Sequence, residues 1–83
     1  MTLLYFAWVR QKIGRGDESF ALPAHVRTIA QLIEVLRDRG PNYRAAFAEP
    51  DRLRAALNQE HVRFDAPLRD EDELAFFPPV TGG

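Results

Sequence analysis

The chain has 83 residues, of which 46% are hydrophobic and 28% charged, and its formal net charge is −1. This length allows one small domain with a thin core, and the balanced charge favours neither nucleic acid nor anionic lipid as a partner. Because the chain has no cysteine, disulfides, metal-bound thiolates and a cysteine nucleophile are excluded. No apolar run reaches the length of a membrane span and no signal-peptide pattern is present, so we expect a cytoplasmic protein.

The first part of the chain predicts two antiparallel strands separated by a short helix. Thr2–Phe6 is β-branched, aromatic and apolar on both faces, which is typical of a central strand. Ala7–Ile13 changes character and predicts a helical turn that Gly14 ends. The alternating segment Glu18–Leu22, which stops at Pro23, predicts the second strand.

The clearest local signal is a helix over Ile29–Arg39. Thr28 followed by Gln31 predicts a capping box, in which side chains satisfy free backbone groups at the helix start. An apolar stripe at helical spacing consists of Ile29, Leu32, Ile33 and Leu36. Gly40 is the expected left-handed stop, and Pro41 prevents continuation.

The second half predicts one more short helix and three strands. Asn42–Ala48 is compatible with a short helix. Leu53–Leu57 alternates and predicts a half-buried strand, and His61–Phe64 predicts a short one. Glu73–Phe77 predicts the last strand, which the two prolines after it must end.

This order of elements predicts an α+β fold of the β-grasp, or ubiquitin-like, type. The mixed sheet has about four to five strands, with one main helix packed across it. The first and last strands are the most apolar, so we expect them to pair side by side in the middle of the sheet. We expect residues 1–77 to form this domain and residues 78–83 to form a flexible, extended C-terminal tail.

The tail has features that suit insertion into a narrow channel. Pro78 and Pro79 have restricted φ and no N–H donor, so the chain must leave the sheet in an extended form. Six residues then reach roughly 15–20 Å beyond the domain. Gly82 and Gly83 have no Cβ that a narrow channel would exclude. A terminal carboxylate is a poor electrophile, but adenylation by ATP makes it reactive, and a sulfur donor can then displace AMP to leave a thiocarboxylate.

Three segments of the chain resemble the MoaD family, the small subunits of molybdopterin synthase among the ThiS-type sulfur carriers. Asp72–Gly83 resembles the family's C-terminal signature, Phe6–Arg10 its F-A-x-V-R pattern, and Ala56–Gln59 its A-V/L-N-x pattern. Length and element order match along the whole chain. His61 departs from the family, which is commonly apolar at that position.

The resemblance implies a role for Gly83 as the acyl group that carries sulfur. A ubiquitin-activating-type enzyme, MoeB, adenylates it with ATP, and the resulting thiocarboxylate enters the large synthase subunit, MoaE, to supply the dithiolene sulfurs of molybdopterin. Two small and two large subunits form a heterotetramer, and the catalytic pocket lies on the large subunit. The chain itself is then a sulfur-donating co-substrate with no bound cofactor.

The candidate site therefore combines the terminal acyl group with a set of partner-binding residues. Gly83 is the reacting residue. The expected partner-binding residues are Phe6, Phe77, Pro78, Pro79, Val80, Thr81 and Gly82. Alternation along the last strand places Phe76 and Phe77 on opposite faces of the sheet. Of the two, we expect Phe76 to be the core residue and Phe77 the partner-facing one, and Trp8 could extend the same patch.

Other features indicate structural roles. The acidic run at residues 70–73 lacks the spacing of a calcium loop and predicts a solvated turn. His25 and His61 have no neighbours at metal-ligand spacing, so no metal site is predicted. The alternatives are a related carrier for thiamine synthesis or tRNA thiolation, a ubiquitin-like modifier that forms isopeptides through Gly83, and a plain interaction module.

Overall fold

The computed structural model describes residues 1–79, in which two strands and three helices are followed, after a 3₁₀ turn, by three consecutive strands. The strands are β1 (Thr2–Tyr5), β2 (Asp17–Ser19), β3 (Arg54–Leu57), β4 (Glu60–Val62) and β5 (Glu73–Phe77). The helices are α1 (Ala7–Ile13), α2 (Ile29–Arg37) and α3 (Pro41–Ala46), and a single 3₁₀ turn spans Pro50–Arg52. The predicted bounds of α1 and β5 are confirmed.

All five strands belong to one mixed sheet in the order β2-β1-β5-β3-β4. The parallel pair β1–β5 places Leu3 beside Leu74 and Tyr5 beside Phe76. β2 is antiparallel to β1, and β3 is antiparallel to both β4 and β5. The two most apolar strands therefore lie side by side inside the sheet, which confirms the predicted pairing and the β-grasp architecture.

The start of α2 agrees with the prediction, but its end does not. The Thr28 hydroxyl accepts a hydrogen bond from the Gln31 N–H at 3.3 Å, and the Gln31 side chain bonds back to the Thr28 N–H at 3.2 Å. The helix ends at Arg37 rather than Arg39, where tighter i→i+3 bonds take over. Gly40 is not the left-handed stop: its φ of 148° and ψ of 175° place it before α3 as the N-cap.

Three predicted strands end earlier than the sequence pattern indicates. β1 stops at Tyr5, before the chain turns into α1. β2 ends at Ser19, and the backbone N–H of Leu22, which the prediction included in this strand, donates to the Asp70 carboxylate at 2.8 Å. β4 ends before Phe64, whose carbonyl accepts from the Ala30 N–H at 2.9 Å. These contacts are between residues distant in sequence, so local patterns could not predict them.

The core lies on one side of the sheet, where the helices pack. Helix α3 contacts both α1 and α2, and inward-facing side chains of β1 and β5 complete the cluster. The largest fully buried side chains are Tyr5, Phe47, Phe76, Leu3, Ile29, Leu32, Leu36, Leu53, Leu74 and Val9. Among residues 1–79 no helix covers the opposite face of the sheet. None of the helices in this part of the chain is long and apolar enough to cross a membrane.

Candidate docking face and tail root

The last strand separates two adjacent phenylalanines onto opposite faces of the sheet. Phe76 is completely buried; its ring meets Phe47 edge-on at 5.0 Å and stacks with Tyr5 at 6.4 Å between centroids. Phe77 is half-buried and lies on the face without helices. The prediction that Phe76 belongs to the core is confirmed. The predicted contact of Phe77 with a partner stays a prediction.

An apolar groove of about 400 Å³ runs across this open face. The residues that line it are Leu4, Phe6, Ala56, Gln59, Glu73, Ala75 and Phe77. Strand register explains the groove, because Ala75 lies between Leu4 of β1 and Ala56 of β3. The small alanine side chains leave a shallow channel between larger apolar neighbours. We refer to this lining as the docking face.

Phe6 is the most exposed large apolar side chain of the described residues, with 49% of its surface accessible. Its backbone is nevertheless fixed, because the Phe6 N–H donates to the Phe76 carbonyl at 3.1 Å. The next residue, Ala7, has a φ of 53°, a left-handed conformation that is unfavourable for a residue with a Cβ. This sharp turn from β1 into α1 leaves Phe6 on the open face and sends the chain to the helical side.

The tail begins at the same edge of the sheet as Phe6. Since β1 and β5 are parallel, the end of β5 lies beside the end of β1, and Pro78 and Pro79 follow directly. Both prolines are half-buried and lie outside the strand, as their missing N–H groups require. The remaining predicted site residues, Val80, Thr81, Gly82 and Gly83, lie outside the described residues.

Two other aromatic candidates occupy different places. The His61 ring lies 5.1 Å from the Phe77 ring, so this position borders the docking face. Trp8 does not extend the patch: it lines a separate groove beside α3, with Lys12 and Arg52 over its ring at 5.3 and 5.9 Å. Trp8 belongs to α1, whereas Phe6 still follows the direction of β1. The helical periodicity therefore points the Trp8 side chain away from the docking face.

A buried polar cluster behind the sheet was not predicted from the sequence. The carboxylate of Glu18 on β2 accepts hydrogen bonds from the Tyr5 hydroxyl at 2.8 Å and the Tyr43 hydroxyl at 2.7 Å. Arg39 donates to the same carboxylate at 2.8 Å. The cluster ties β2 to β1 and to the helical layer. In the sequence, Glu18 resembles any acidic residue of an alternating strand, so no local signal distinguishes it.

Ionisation of this cluster follows from its contacts. Burial by itself raises the pKa of the Glu18 carboxyl, but the hydrogen bonds from Tyr43, Arg39 and Tyr5 outweigh it and hold that pKa below its ordinary value. Burial and the adjacent carboxylate raise the pKa of both tyrosines. Glu18 is therefore a charged structural acceptor at neutral pH, and its two oxygens accept hydrogen bonds from all three partners.

The acidic run at residues 70–73 also has a structural role. The Asp70 carboxylate accepts from the Leu22 N–H at 2.8 Å and from the N-terminal ammonium of Met1 at 3.3 Å. These bonds lower the pKa of Asp70. Asp72 accepts from the Arg69 N–H at 2.8 Å and so closes the turn before β5. Within residues 1–79 no three His, Asp or Glu side chains gather in a way that could hold a metal ion.

Comparison with known proteins shows similarity along nearly the whole chain. A family model described as the ThiS family matches residues 3–83. The molybdopterin synthase sulfur carrier subunit of Escherichia coli strain K12 is 41% identical over 81 residues, covering 98% of this chain and 96% of that protein. The corresponding subunit of Haemophilus influenzae is 34% identical over 83 residues, covering 100% of this chain and 99% of that protein.

Solved structures support the same fold. The putative molybdopterin converting factor, subunit 1, of Pyrococcus furiosus superposes with a TM-score of 0.75 at 31% identity, covering 95% of each chain. SAMP1 of Haloferax volcanii superposes with a TM-score of 0.73 at 22% identity, covering 100% of this chain and 98% of that one. The second likeness shows the fold alone.

Proposed function

Because the chain belongs to the ThiS family and, within it, to the molybdopterin synthase sulfur carrier subunits, we propose that it carries sulfur for molybdenum-cofactor synthesis. The observation that carries this proposal is the nearly full-length similarity to carrier subunits, combined with a Gly82-Gly83 sequence that is separated by four residues from Phe77 of the docking face. The relatives are named for the synthase reaction, and the folded domain holds the residues from which the tail starts.

The proposed chemistry takes place at the carboxyl carbon of Gly83. A carboxylate oxygen attacks the α-phosphorus of ATP on the activating enzyme, MoeB, and pyrophosphate leaves. Hydrosulfide, or a donor at the same oxidation level, then attacks the acyl carbon of the resulting adenylate, the C–O bond to phosphate breaks, and AMP leaves. The product is a thiocarboxylate whose sulfur is a good nucleophile. In the large subunit, MoaE, that sulfur attacks a carbon of the pterin precursor and displaces an oxygen substituent. Water then cleaves the acyl–sulfur bond, which returns Gly83 to a carboxylate and leaves one dithiolene sulfur on the pterin.

The docking face explains how a chain without a catalytic group of its own contributes to this reaction. Phe6, 49% exposed, and Phe77 form an apolar surface at the root of the tail, where burial by a partner removes apolar area from water. Pro78 and Pro79 then direct the tail away from the sheet. Docking at the root limits the positions that Gly83 can reach and so raises its effective concentration in the partner's active site.

The same proposal assigns the remaining roles. Val80 and Thr81 extend the tail, and Gly82 passes the narrowest part of the channel. The chain works in the cytoplasm as the non-catalytic subunit of a heterotetramer of two small and two large subunits, and residues 1–77 act as the domain that presents the tail at residues 78–83. ATP is consumed on the activating enzyme and is not bound as a cofactor here.

Reconstitution of the pathway tests this function. The sulfur-loaded chain is mixed with the large subunit and the pterin precursor, and dithiolene formation is followed by chromatography of the fluorescent oxidised product. We expect product in proportion to the loaded carrier. A chain lacking Gly83, which keeps the whole folded domain, is the matched control and should give none.

Three outcomes contradict the proposal in different ways. Sulfur loading without dithiolene formation, under conditions where a known small subunit is active, would assign the chain to another thiolation pathway. Covalent attachment of this chain to other proteins, seen as a series of mass-shifted conjugates, would indicate a modifier that forms isopeptides. Product from the chain that lacks Gly83 would contradict the role of the terminal acyl group itself.

A further inference from the structure

One corner of the docking face carries a group of exposed basic side chains. Arg54 lies in register with Phe77 on the neighbouring strand, and both project to the open face. Arg63 follows β4 and lines a groove together with Arg54. The His61 ring lies 5.1 Å from the Phe77 ring, and His61 is in register with Ala56 of the docking face. We call Arg54, His61 and Arg63 the basic corner.

The positive charge of the basic corner is not used within the domain. Over residues 1–79, no carboxylate oxygen lies within 4.0 Å of the guanidinium of Arg54 or of Arg63. Arg54 instead donates to the backbone carbonyls of Leu53 at 2.8 Å and Asp51 at 3.2 Å. These two bonds hold the guanidinium in place while leaving other N–H groups of its fork available.

Carboxylates on the open face lie away from this corner. Asp17 on β2 pairs in register with Leu4, and Glu73 begins β5 at the opposite end from Phe77. Asp51 borders the groove shared by Arg54 and Arg63, which leaves this corner with more positive than negative charge. The open face is therefore polarised: an apolar centre separates a basic corner beside the tail root from acidic side chains farther away.

We propose that the basic corner docks on a carboxylate-bearing surface of the large synthase subunit, immediately beside the apolar contact made by Phe6 and Phe77. This inference rests on the proposed function, because it requires a large subunit that accepts the tail. The carrier relatives are named as subunits of the synthase, which makes the large subunit the partner that shares a lasting interface. Continuity with the docking face at the root of the tail points to that occupant.

The basic corner gives the interface a preferred orientation, which its apolar centre alone does not provide. An apolar patch binds without a strong preference for orientation, whereas paired charges at one corner distinguish one orientation from the others. Arginine forks bind carboxylates in a bidentate manner, and Arg54 is already held by its backbone bonds. Correct orientation matters here because the tail starts at this corner. The charges also attract the partner during encounter and so raise the association rate.

Charge reversal with a matched control tests the proposal. The double variant Arg54→Glu/Arg63→Glu is compared with Arg27→Glu, an exposed arginine before α2 on the helical layer. Binding of each full-length chain to the purified large subunit is measured at about 0.1 M and about 1 M salt, where the Debye length falls from about 10 Å to about 3 Å. Thermal unfolding of each variant confirms folding, and Arg54→Gln/Arg63→Gln serves as a milder second variant.

We expect the double reversal to raise Kd at least about tenfold at low salt, mainly through slower association, and the glutamine pair to have a smaller effect in the same direction. The Kd of the control should stay within about twofold of the Kd of the unmodified chain, and high salt should reduce the difference in Kd between the reversal variant and the unmodified chain.

An unchanged Kd in the folded reversal variant, with normal binding of the unmodified chain, overturns the proposed role of the basic corner and leaves the sulfur-carrier proposal intact. Failure of the unmodified chain to bind the large subunit contradicts both. Normal large-subunit binding with slowed adenylation of the reversal variant overturns the assignment of the partner.

Discussion

Replacing the adjacent residues Phe76 and Phe77 by alanine should separate folding from docking. Both substitutions remove the same side chain from the same strand, β5. Phe76 is fully buried against Phe47 and Tyr5, whereas Phe77 is half-buried on the open face beside Phe6. The structure therefore predicts a large loss of stability from the first substitution and a loss of partner binding from the second.

The expected magnitudes differ enough to be measured readily. Truncating a fully buried phenylalanine costs about 3–5 kcal/mol, and a domain of this size has a total stability of about 4–12 kcal/mol. At about 4–8 °C per kcal/mol, Phe76→Ala should lower Tm by roughly 15–30 °C or leave the chain unfolded. Phe77→Ala should cost less than about 1.5 kcal/mol of stability, because half of its burial is already missing.

Docking should respond in the opposite way. If Phe77 is an anchor of the interface, its truncation should weaken binding to the large subunit by about 2 kcal/mol or more, close to a thirtyfold rise in Kd. Thermal unfolding by circular dichroism and titration calorimetry with the large subunit measure the two effects separately. Phe20→Ala is the matched control, since Phe20 is half-buried on the helical side, where Arg39 lies 5.3 Å from its ring.

Two results would refute this reasoning. A Tm loss from Phe77→Ala as large as that from Phe76→Ala would mean that the open face is covered within the domain itself. Normal affinity of a folded Phe77→Ala chain, together with weakened affinity of Phe20→Ala, would place the interface on the helical layer instead.

The remaining predictions concern the local structures that support the fold. Thr28→Ala should remove the α2 capping box and cost about 1 kcal/mol, a Tm decrease of about 4–8 °C, with no change in affinity for the large subunit; an unchanged Tm would contradict the cap. Glu18→Gln should cost at least about 2 kcal/mol at pH 7, because three donors lose a charged acceptor. The folded-state pKa of Glu18 is lowered, so its contribution exists above the unfolded-state pKa and disappears as the pH falls through the folded-state value. The Tm difference between the two chains should therefore shrink in acid, and a difference that grows with acidity would contradict the assigned sign. Asp70→Asn should destabilise the connection between β2 and β5, measured as faster amide exchange at Leu22, whose N–H would lose its charged acceptor.

Features that depend on neighbours in the sequence could be predicted well. The capping box at Thr28, the left-handed Gly14 after α1 and the bounds of β5 all follow from short patterns, and the structure confirms them. The central pairing of β1 with β5 followed from their shared apolar character. Alternation along β5 separated Phe76 from Phe77, and the structure confirms the expectation that Phe76 is the core residue of the two.

Features that depend on distant residues could not be predicted in this way. The Glu18 cluster joins β2 to Tyr5, Tyr43 and Arg39, and only the folded chain brings these groups together. Gly40 has a pattern that fits a helix stop, but a tightened last turn ends α2 earlier and makes this glycine the cap of α3. Trp8 seemed to belong with Phe6, yet the turn at Ala7 sends it to the other side of the sheet.

The docking face could be predicted only in part from the sequence. Phe6 and Phe77 were expected from their positions beside the tail, and the structure brings both into one groove. The basic corner was not expected, because Arg54, His61 and Arg63 come from two strands, and their alignment with Phe77 depends on the register of β3 against β4 and β5.

Intact mass analysis of the chain tests the central claim most directly. The protein is incubated with the activating enzyme, ATP and a sulfur donor, and the site of any mass change is located by fragmentation. We expect replacement of one oxygen by one sulfur at Gly83, dependent on ATP and absent when a residue is added after Gly83. An unchanged mass, with an activating enzyme shown to load another carrier, would contradict it, as would sulfur located at any other residue.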